Sequence, residues 1–209
     1  MCGSKKKLYI LTGSTRGIGL ELQKIFQNNG VDHVCLNRKD VDLSDIQKVI
    51  EFLSSFKQVI KKQYFNHRIV YINNASTLGN PAPLGNNSLN DISKTLNINF
   101  VSPVLIFNFL NTLTNEWVLF NITSGAARTE NKYLGLYSTT KLAVEKYAKF
   151  IQLEETNCMK IHNYNPGIVK TDMYRVLKNS KFFHNMKFEN AVPRNATNVA
   201  HEIWDFLQG

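Results

Sequence analysis

Two kinds of apolar pattern alternate along the chain. Residues 8–11, 33–36, 68–72, 117–122 and 159–164 are short, nearly continuous apolar runs, and Val41-Asp42-Leu43 is a shorter one. Between them, residues 18–28, 46–64, 89–113, 137–155 and 199–207 carry apolar side chains at helical spacing. A continuous apolar strand is one buried on both faces, and a helix after each strand lets successive strands run parallel. The pattern predicts an α/β, doubly wound parallel sheet of about six strands with helices on both faces. No internal repeat, low-complexity linker or composition break interrupts it, so residues 1–209 are read as one domain.

Composition narrows the classes. Hydrophobic residues make up 43% of the 209, enough for a full core and against disorder. No run is read as reaching the ~18–20 apolar residues of a membrane span. The basic start leads directly into the first strand, and no leader segment is expected. Cys2, Cys35 and Cys158 are too few and too scattered for a disulfide frame or a zinc site, which fits a cytoplasmic setting. The net charge of +9 suits a solvated surface or an anionic ligand. Nucleic-acid binding is not expected, because the lysines are dispersed and no aromatic reading surface accompanies them.

The candidate chemistry begins at the first strand end, Thr12-Gly13-Ser14-Thr15-Arg16-Gly17-Ile18-Gly19. Glycines at a strand-to-helix turn let the backbone approach a pyrophosphate, and the helix start offers free N–H groups and a positive dipole end. Residues 13–19 are therefore candidate dinucleotide contacts, and the fold is read as Rossmann-type. After the second strand, a site for a free ribose 2′-hydroxyl would carry Asp or Glu. The sequence has Asn37-Arg38-Lys39 instead. A guanidinium suits a phosphate, and Arg16 supplies a second one, so NADP(H) is favoured over NAD(H).

The TGxxxGxG spacing resembles the short-chain dehydrogenase/reductase family in its compact, single-domain branch, and the chain is similar there to small sepiapterin-reductase-like and benzil-reductase-like enzymes. Further motifs in order extend the resemblance over nearly the whole chain. Asp42-Leu43 resembles the family's adenine-contacting pair. Only three residues separate Arg38 from Asp42, so the helix that normally precedes this pair is expected to be missing. Asn73-Asn74-Ala75-Ser76 resembles NNAG, with Asn74 and Ala75 on the cofactor side. Pro166-Gly167-Ile168-Val169-Lys170-Thr171 resembles PGxVxT, with Pro166, Gly167, Val169 and Thr171 near the nicotinamide. The resemblance implies strand order 3-2-1-4-5-6 with the usual last strand absent.

Tyr137-Ser138-Thr139-Thr140-Lys141 is YxxxK, and residues four apart share a helix face. Ser124 precedes Tyr137 by thirteen residues, the family's interval between its catalytic Ser and Tyr. Asn99 matches the helix Asn of the family's tetrad better than Asn97, because the N-x-x-x-[GP] pattern ends on Pro103. A free tyrosine has a pKa of ~10, and a nearby ammonium is expected to lower it. Tyr137 would then exchange a proton with a carbonyl oxygen while Ser124 stabilises charge on that oxygen. The resemblance adds that Lys141 and Tyr137 touch the nicotinamide ribose and that Asn99 holds a water relaying protons to Lys141.

Residues 172–193 are expected to form a short substrate lid, carrying Met173, Tyr174, Leu177, Phe182, Phe183, Met186 and Phe188. These suit packing as well as an apolar or aromatic carbonyl substrate. The long helices at 89–113 and 137–155 are expected to build a homodimer. The functional expectation is an NADP(H)-dependent reductase of a small-molecule ketone or aldehyde, needing no metal. An NADP(H)-binding sensor or scaffold without turnover is the alternative.

Overall fold

The computed structural model describes residues 5–114, 116–154, 156–186 and 190–209. Cys2, Glu155 and Phe188 of the readings above lie outside them. Five strands, β1 (Lys7–Thr12), β2 (His33–Leu36), β3 (Arg68–Asn73), β4 (Trp117–Ile122) and β5 (Cys158–Tyr164), form one parallel sheet in the order β2-β1-β3-β4-β5.

The strand period of two explains the layers. Leu8, Ile10, Ile69, Tyr71 and Leu119 face one side, where α2 (Ile46–Gln63), α4 (Ser102–Leu113) and α5 (Gly135–Leu153) bring Leu53, Phe107 and Val144. Tyr9, Leu11, Val70, Ile72 and Phe120 face the other, against Leu22 and Phe26 of α1 (Gly17–Asn28) and Ile203 of α7 (Ala196–Gln208). Burying each such side chain contributes about 1.5–3 kcal/mol. Toward the strand ends, the Asn73 amide donates to Asn121 and that of Asn121 to Asn163, both at 2.8 Å. These pairs lock β3, β4 and β5 in register, so the segments that follow them leave the sheet at one level.

The short third strand expected at 41–43 is not formed, which leaves five strands rather than six; the remaining order stands. Among the described residues nothing pairs with this segment as a strand. The Asp40 and Val41 N–H groups turn back onto the Asn37 carbonyl at 3.0 Å. The Leu43 and Ser44 carbonyls accept from the side chains of Ser102 and Asn97, each at 2.8 Å. Turns alone connect Leu36 to Ile46, so the missing crossover helix is borne out.

The single helix expected at 89–113 is α3 (Leu89–Leu96), a π-helical turn (Asn97–Val101) and α4. Pro103 has no N–H for the Asn99 carbonyl four residues back. The helix widens there, and the Ser102 N–H reaches the Asn97 carbonyl. By length and composition alone Leu89–Leu113 is also apolar enough to cross a membrane, which corrects the earlier reading. Here its apolar side chains Ile106, Phe107 and Leu110 go into the sheet core.

Candidate active site

A cleft of about 800 Å³ opens over the carboxyl ends of the strands. It is lined by the glycine turn and Arg38, by Ser124, Tyr137 and Lys141, and by Leu134, Tyr174 and Leu177. Most of the sequence-derived candidates line it. Ser14, Gly19 and Asn99 are the exceptions, lying buried behind its wall.

At the turn, Gly13 has φ +73°, a conformation that L side chains rarely adopt. The Asn74 amide donates to the Thr12 and Gly13 carbonyls at 2.8 and 3.0 Å and so ties the β3 end to the turn. The Thr12 hydroxyl accepts from the N–H groups of Asn74 and Ala75 at 3.3 and 3.2 Å, a contact the sequence reading did not assign. Helix α1 then begins with no side-chain cap and no acidic residue in its first turn. Its N–H groups and dipole are thus left for an anion. A Cβ on Gly13 or Gly19 would strike backbone, so this turn is a cradle that only glycine leaves open. The cradle and the cleft that opens beside it fit a dinucleotide cofactor.

Tyr137 and Lys141 lie one turn apart on α5, 7% and 4% exposed. Ser124 follows β4, and its hydroxyl accepts the Ala126 N–H at 3.2 Å. The Lys141 ammonium donates to the Ile122 carbonyl at 3.0 Å. Burial pushes the Lys141 pKa down to about 8. Burial also pushes the Tyr137 phenol up, with the adjacent Ser124 side chain acting in the opposite direction. The lowering of Tyr137 expected from Lys141 is therefore not found; burial disfavours the phenolate, and Tyr137 keeps its proton near neutrality.

A stability prediction follows. Lys141 is ionised in both folded and unfolded chains below pH ~8, so there the fold bears the whole cost of a buried ammonium. Between pH ~8 and ~10.5 the folded protein loses that proton first, and the cost fades. Lys141→Met should therefore be favoured over wild type most strongly below pH ~8. Its advantage should shrink over that window in paired urea titrations.

The side chain of Asn99 is fully engaged beside the site. Its side-chain oxygen accepts from the Ser76 hydroxyl and the Thr77 N–H at 3.0 and 2.8 Å. Its amide donates to the Thr77 carbonyl and the Thr140 hydroxyl at 2.8 and 3.0 Å. These bonds saturate the side-chain amide and fasten residues 76–77 to α5 beside Lys141, while the Asn99 backbone carbonyl, four residues before Pro103, lacks its usual helical donor. Asn97 reaches the Ser44 carbonyl, away from this group. Arg128 pairs with buried Glu145 of α5 at 2.5 Å and fastens the segment after Ser124.

The segment predicted as a lid leaves the sheet edge at Lys170 and returns at Arg194, whose N–H meets the Ile168 carbonyl at 2.8 Å. It holds α6 (Asp172–Lys178), capped by the Thr171 hydroxyl, and a 3₁₀ turn at Phe183–Asn185. Leu177, Phe183 and Met186 pack with Leu78, Leu134 and Tyr137, so much of the aromatic and Met content is packing. Thr171 has a structural duty as this cap, and its methyl would lie 2.9 Å from a Cβ on Gly17, which brings it against the glycine turn. Asn165 lines the cleft unforeseen by the sequence reading; its side chain accepts the Gly167 N–H at 3.0 Å, a local turn that Asn-Pro-Gly could have signalled.

Comparison with known proteins agrees with this geometry. A model of the family described as short chain dehydrogenase matches residues 7–181. The chain belongs to the short-chain dehydrogenase family, and its chemistry is that of an NAD(P)-dependent oxidoreductase. The benzil reductase ((S)-benzoin forming) of Bacillus subtilis strain 168 is 24% identical over 202 residues, covering 87% of this chain and 83% of its own. A short-chain dehydrogenase/reductase from Burkholderia vietnamiensis superposes with TM-score 0.71 at 20% identity, over 91% of this chain and 100% of that one. An alcohol dehydrogenase from the archaeon Thermococcus sibiricus, solved with 5-hydroxy-NADP, gives TM-score 0.75 at 17% identity, over 98% of this chain and 92% of its own. The two structural likenesses establish the shared fold.

Proposed function

We propose that the protein is an NADP(H)-dependent reductase that converts a ketone or aldehyde to an alcohol. The observation that carries this reading is the convergence of Ser124, Tyr137 and Lys141 on one cleft that starts at the glycine turn. The reduced nicotinamide supplies the hydride when bound. Tyr137, which carries its proton near neutrality and is held further in that form by burial, donates that proton to the carbonyl oxygen. Ser124 donates a hydrogen bond to that oxygen as its charge grows. Lys141 holds the ribose hydroxyls, and with a pKa of about 8 it can return a proton to Tyr137. The lid cluster shields the exchange from water.

For the cofactor, the support is Arg16 and Arg38 on the cleft rim, with no acid at positions 37–39. The NADP analogue in the Thermococcus sibiricus neighbour points the same way. The benzil reductase relative supports a carbonyl substrate, and the apolar side chains of Leu78, Leu134 and Leu177 packed with Tyr137 suit an aryl or alkyl ketone. Initial rates with NADPH and NADH over a panel of ketones, diketones and aldehydes test the reading. NADPH should be preferred, and Arg38→Ala should lower that preference by about tenfold, the scale of a charge-assisted contact. Equal use of NADH by the wild type would overturn the cofactor assignment.

The proposed homodimer would use the Leu89–Leu113 segment (α3 to α4) and α5. The latter presents Leu142, Phe150 and Leu153, each about half exposed or more. Light scattering should give the mass of two chains, and a monomer or tetramer would refute it.

A further inference from the structure

The short connection after β2 places an arginine and a carboxylate of the cofactor rim four residues apart, and they are paired. Both the Nε and an Nη of Arg38 donate to one oxygen of Asp42, at 3.1 and 3.0 Å. That edge of the guanidinium is the fork which grips a phosphate. The other Asp42 oxygen accepts the Ser44 N–H and hydroxyl at 3.0 and 2.7 Å. Asp42 is thereby anchored, with its side chain 27% exposed, whereas that of Arg38 is 79% exposed. Desolvation works against the Asp42 carboxylate, but the bonds from Ser44 and Arg38 outweigh it and hold its pKa below the usual value. It is ionised at neutral pH, and both side chains line the cleft.

We propose that Asp42 is a specificity-determining latch: it occupies the phosphate-gripping edge of Arg38, and a ribose 2′-phosphate must displace it to be bound. The inference rests on the reading of the cleft as an NADP(H) site. A ligand without that phosphate leaves the pair intact. The latch therefore weakens binding of the phosphorylated dinucleotide alone and narrows the preference for it. The effect is bounded by the modest strength of an exposed ion pair.

Adenosine 2′,5′-bisphosphate and adenosine 5′-phosphate differ only by the phosphate in question, so calorimetric titration of each isolates it without turnover. Wild type should bind the bisphosphate more tightly. Asp42→Asn keeps an oxygen for both Ser44 bonds, and it should raise the affinity ratio by about threefold to tenfold. Because both ligands are measured on the same variant, general loosening of the loop cancels in the ratio. Arg38→Ala should abolish most of the preference, and adding Asp42→Asn to it should then change the ratio by less than about twofold. An unchanged or lowered ratio in Asp42→Asn would overturn the latch, as would a rise that persists in the Arg38→Ala background. A wild type with no preference for the bisphosphate, insensitive to Arg38→Ala, would overturn the NADP(H) reading and the latch together. A clear Arg38-dependent preference with a silent Asp42→Asn would overturn the latch alone.

Discussion

Tyr137→Phe should lower the turnover of a carbonyl substrate by about 10²- to 10⁴-fold, the range of a lost general acid, and leave NADPH affinity within about threefold. The asymmetry follows from the position of the ring. It packs among Leu78, Leu134, Leu177, Phe183 and Met186, all retained contacts in the variant. Only the hydroxyl is lost, and it lies beside Ser124 at the floor of the cleft. Folding stability should change by no more than about 1 kcal/mol, since one hydroxyl is removed and the shape is kept. Single-turnover rates at saturating NADPH, with a parallel fluorescence titration of NADPH, separate the two effects. A fall of less than tenfold would remove Tyr137 from the role of proton donor.

Gly19→Ala should abolish measurable dinucleotide binding, weakening it by about 100-fold or more, an effect of ~3 kcal/mol. The added Cβ would lie 2.2 Å from the Gly13 carbonyl oxygen and 2.6 Å from the Asn74 amide nitrogen. The first of these is backbone and cannot rotate away. Relief requires moving the turn, and with it the Asn74 bonds that set the distance between β1 and β3. The expected stability loss is that of overpacking, about 1–3 kcal/mol. Gly135→Ala is the control: its Cβ would meet nothing within 4 Å, so calorimetry should find NADPH binding unaltered. Normal affinity in Gly19→Ala would show that the turn is not the phosphate cradle.

The parts of the fold that were legible in sequence are those governed by short periods. Strand β1 alternates Leu8 and Ile10 toward one layer with Tyr9 and Leu11 toward the other, so its continuous apolar run could only belong to a sheet covered on both sides. Motifs at strand ends were legible for a related reason. Each of the segments that carry Asn74, Ser124 and Pro166 begins where an apolar run stops. Val41-Asp42-Leu43 misled because two apolar residues around a polar one satisfy a strand and a buried turn equally; what decided between them was a pair of distant donors, Asn97 and Ser102. Pro103 carried the signal for the π turn, although the unbroken apolar pattern around it reads as one straight helix.

The site shows the same division. Types and spacings put Ser124, Tyr137 and Lys141 together, and the fold does so. The state of each group was not legible. Lys141 is near Tyr137 in sequence, yet burial acts on both and raises the phenol it was expected to lower. Asn99 aligned with the family's pattern, and its side-chain partners Thr77 and Thr140 could not be read from that pattern because they lie 22 and 41 residues away in the chain. Arg38 and Asp42 each read as a cofactor contact; that they bind one another depends on a turn whose geometry no periodicity encodes.

The central claim is that this cleft moves hydride to a carbonyl while Tyr137 supplies the proton. Its most direct test is incubation with NADPH carrying deuterium on the transferable nicotinamide carbon, over a panel of ketones and diketones, with mass analysis of the products. The account predicts alcohol products with one deuterium on the carbinol carbon, formed by wild type and reduced to about 1% or less of that rate in Tyr137→Phe. NADPH that binds but is returned unconsumed across the panel, or deuterated alcohol formed equally well by Tyr137→Phe, would contradict it.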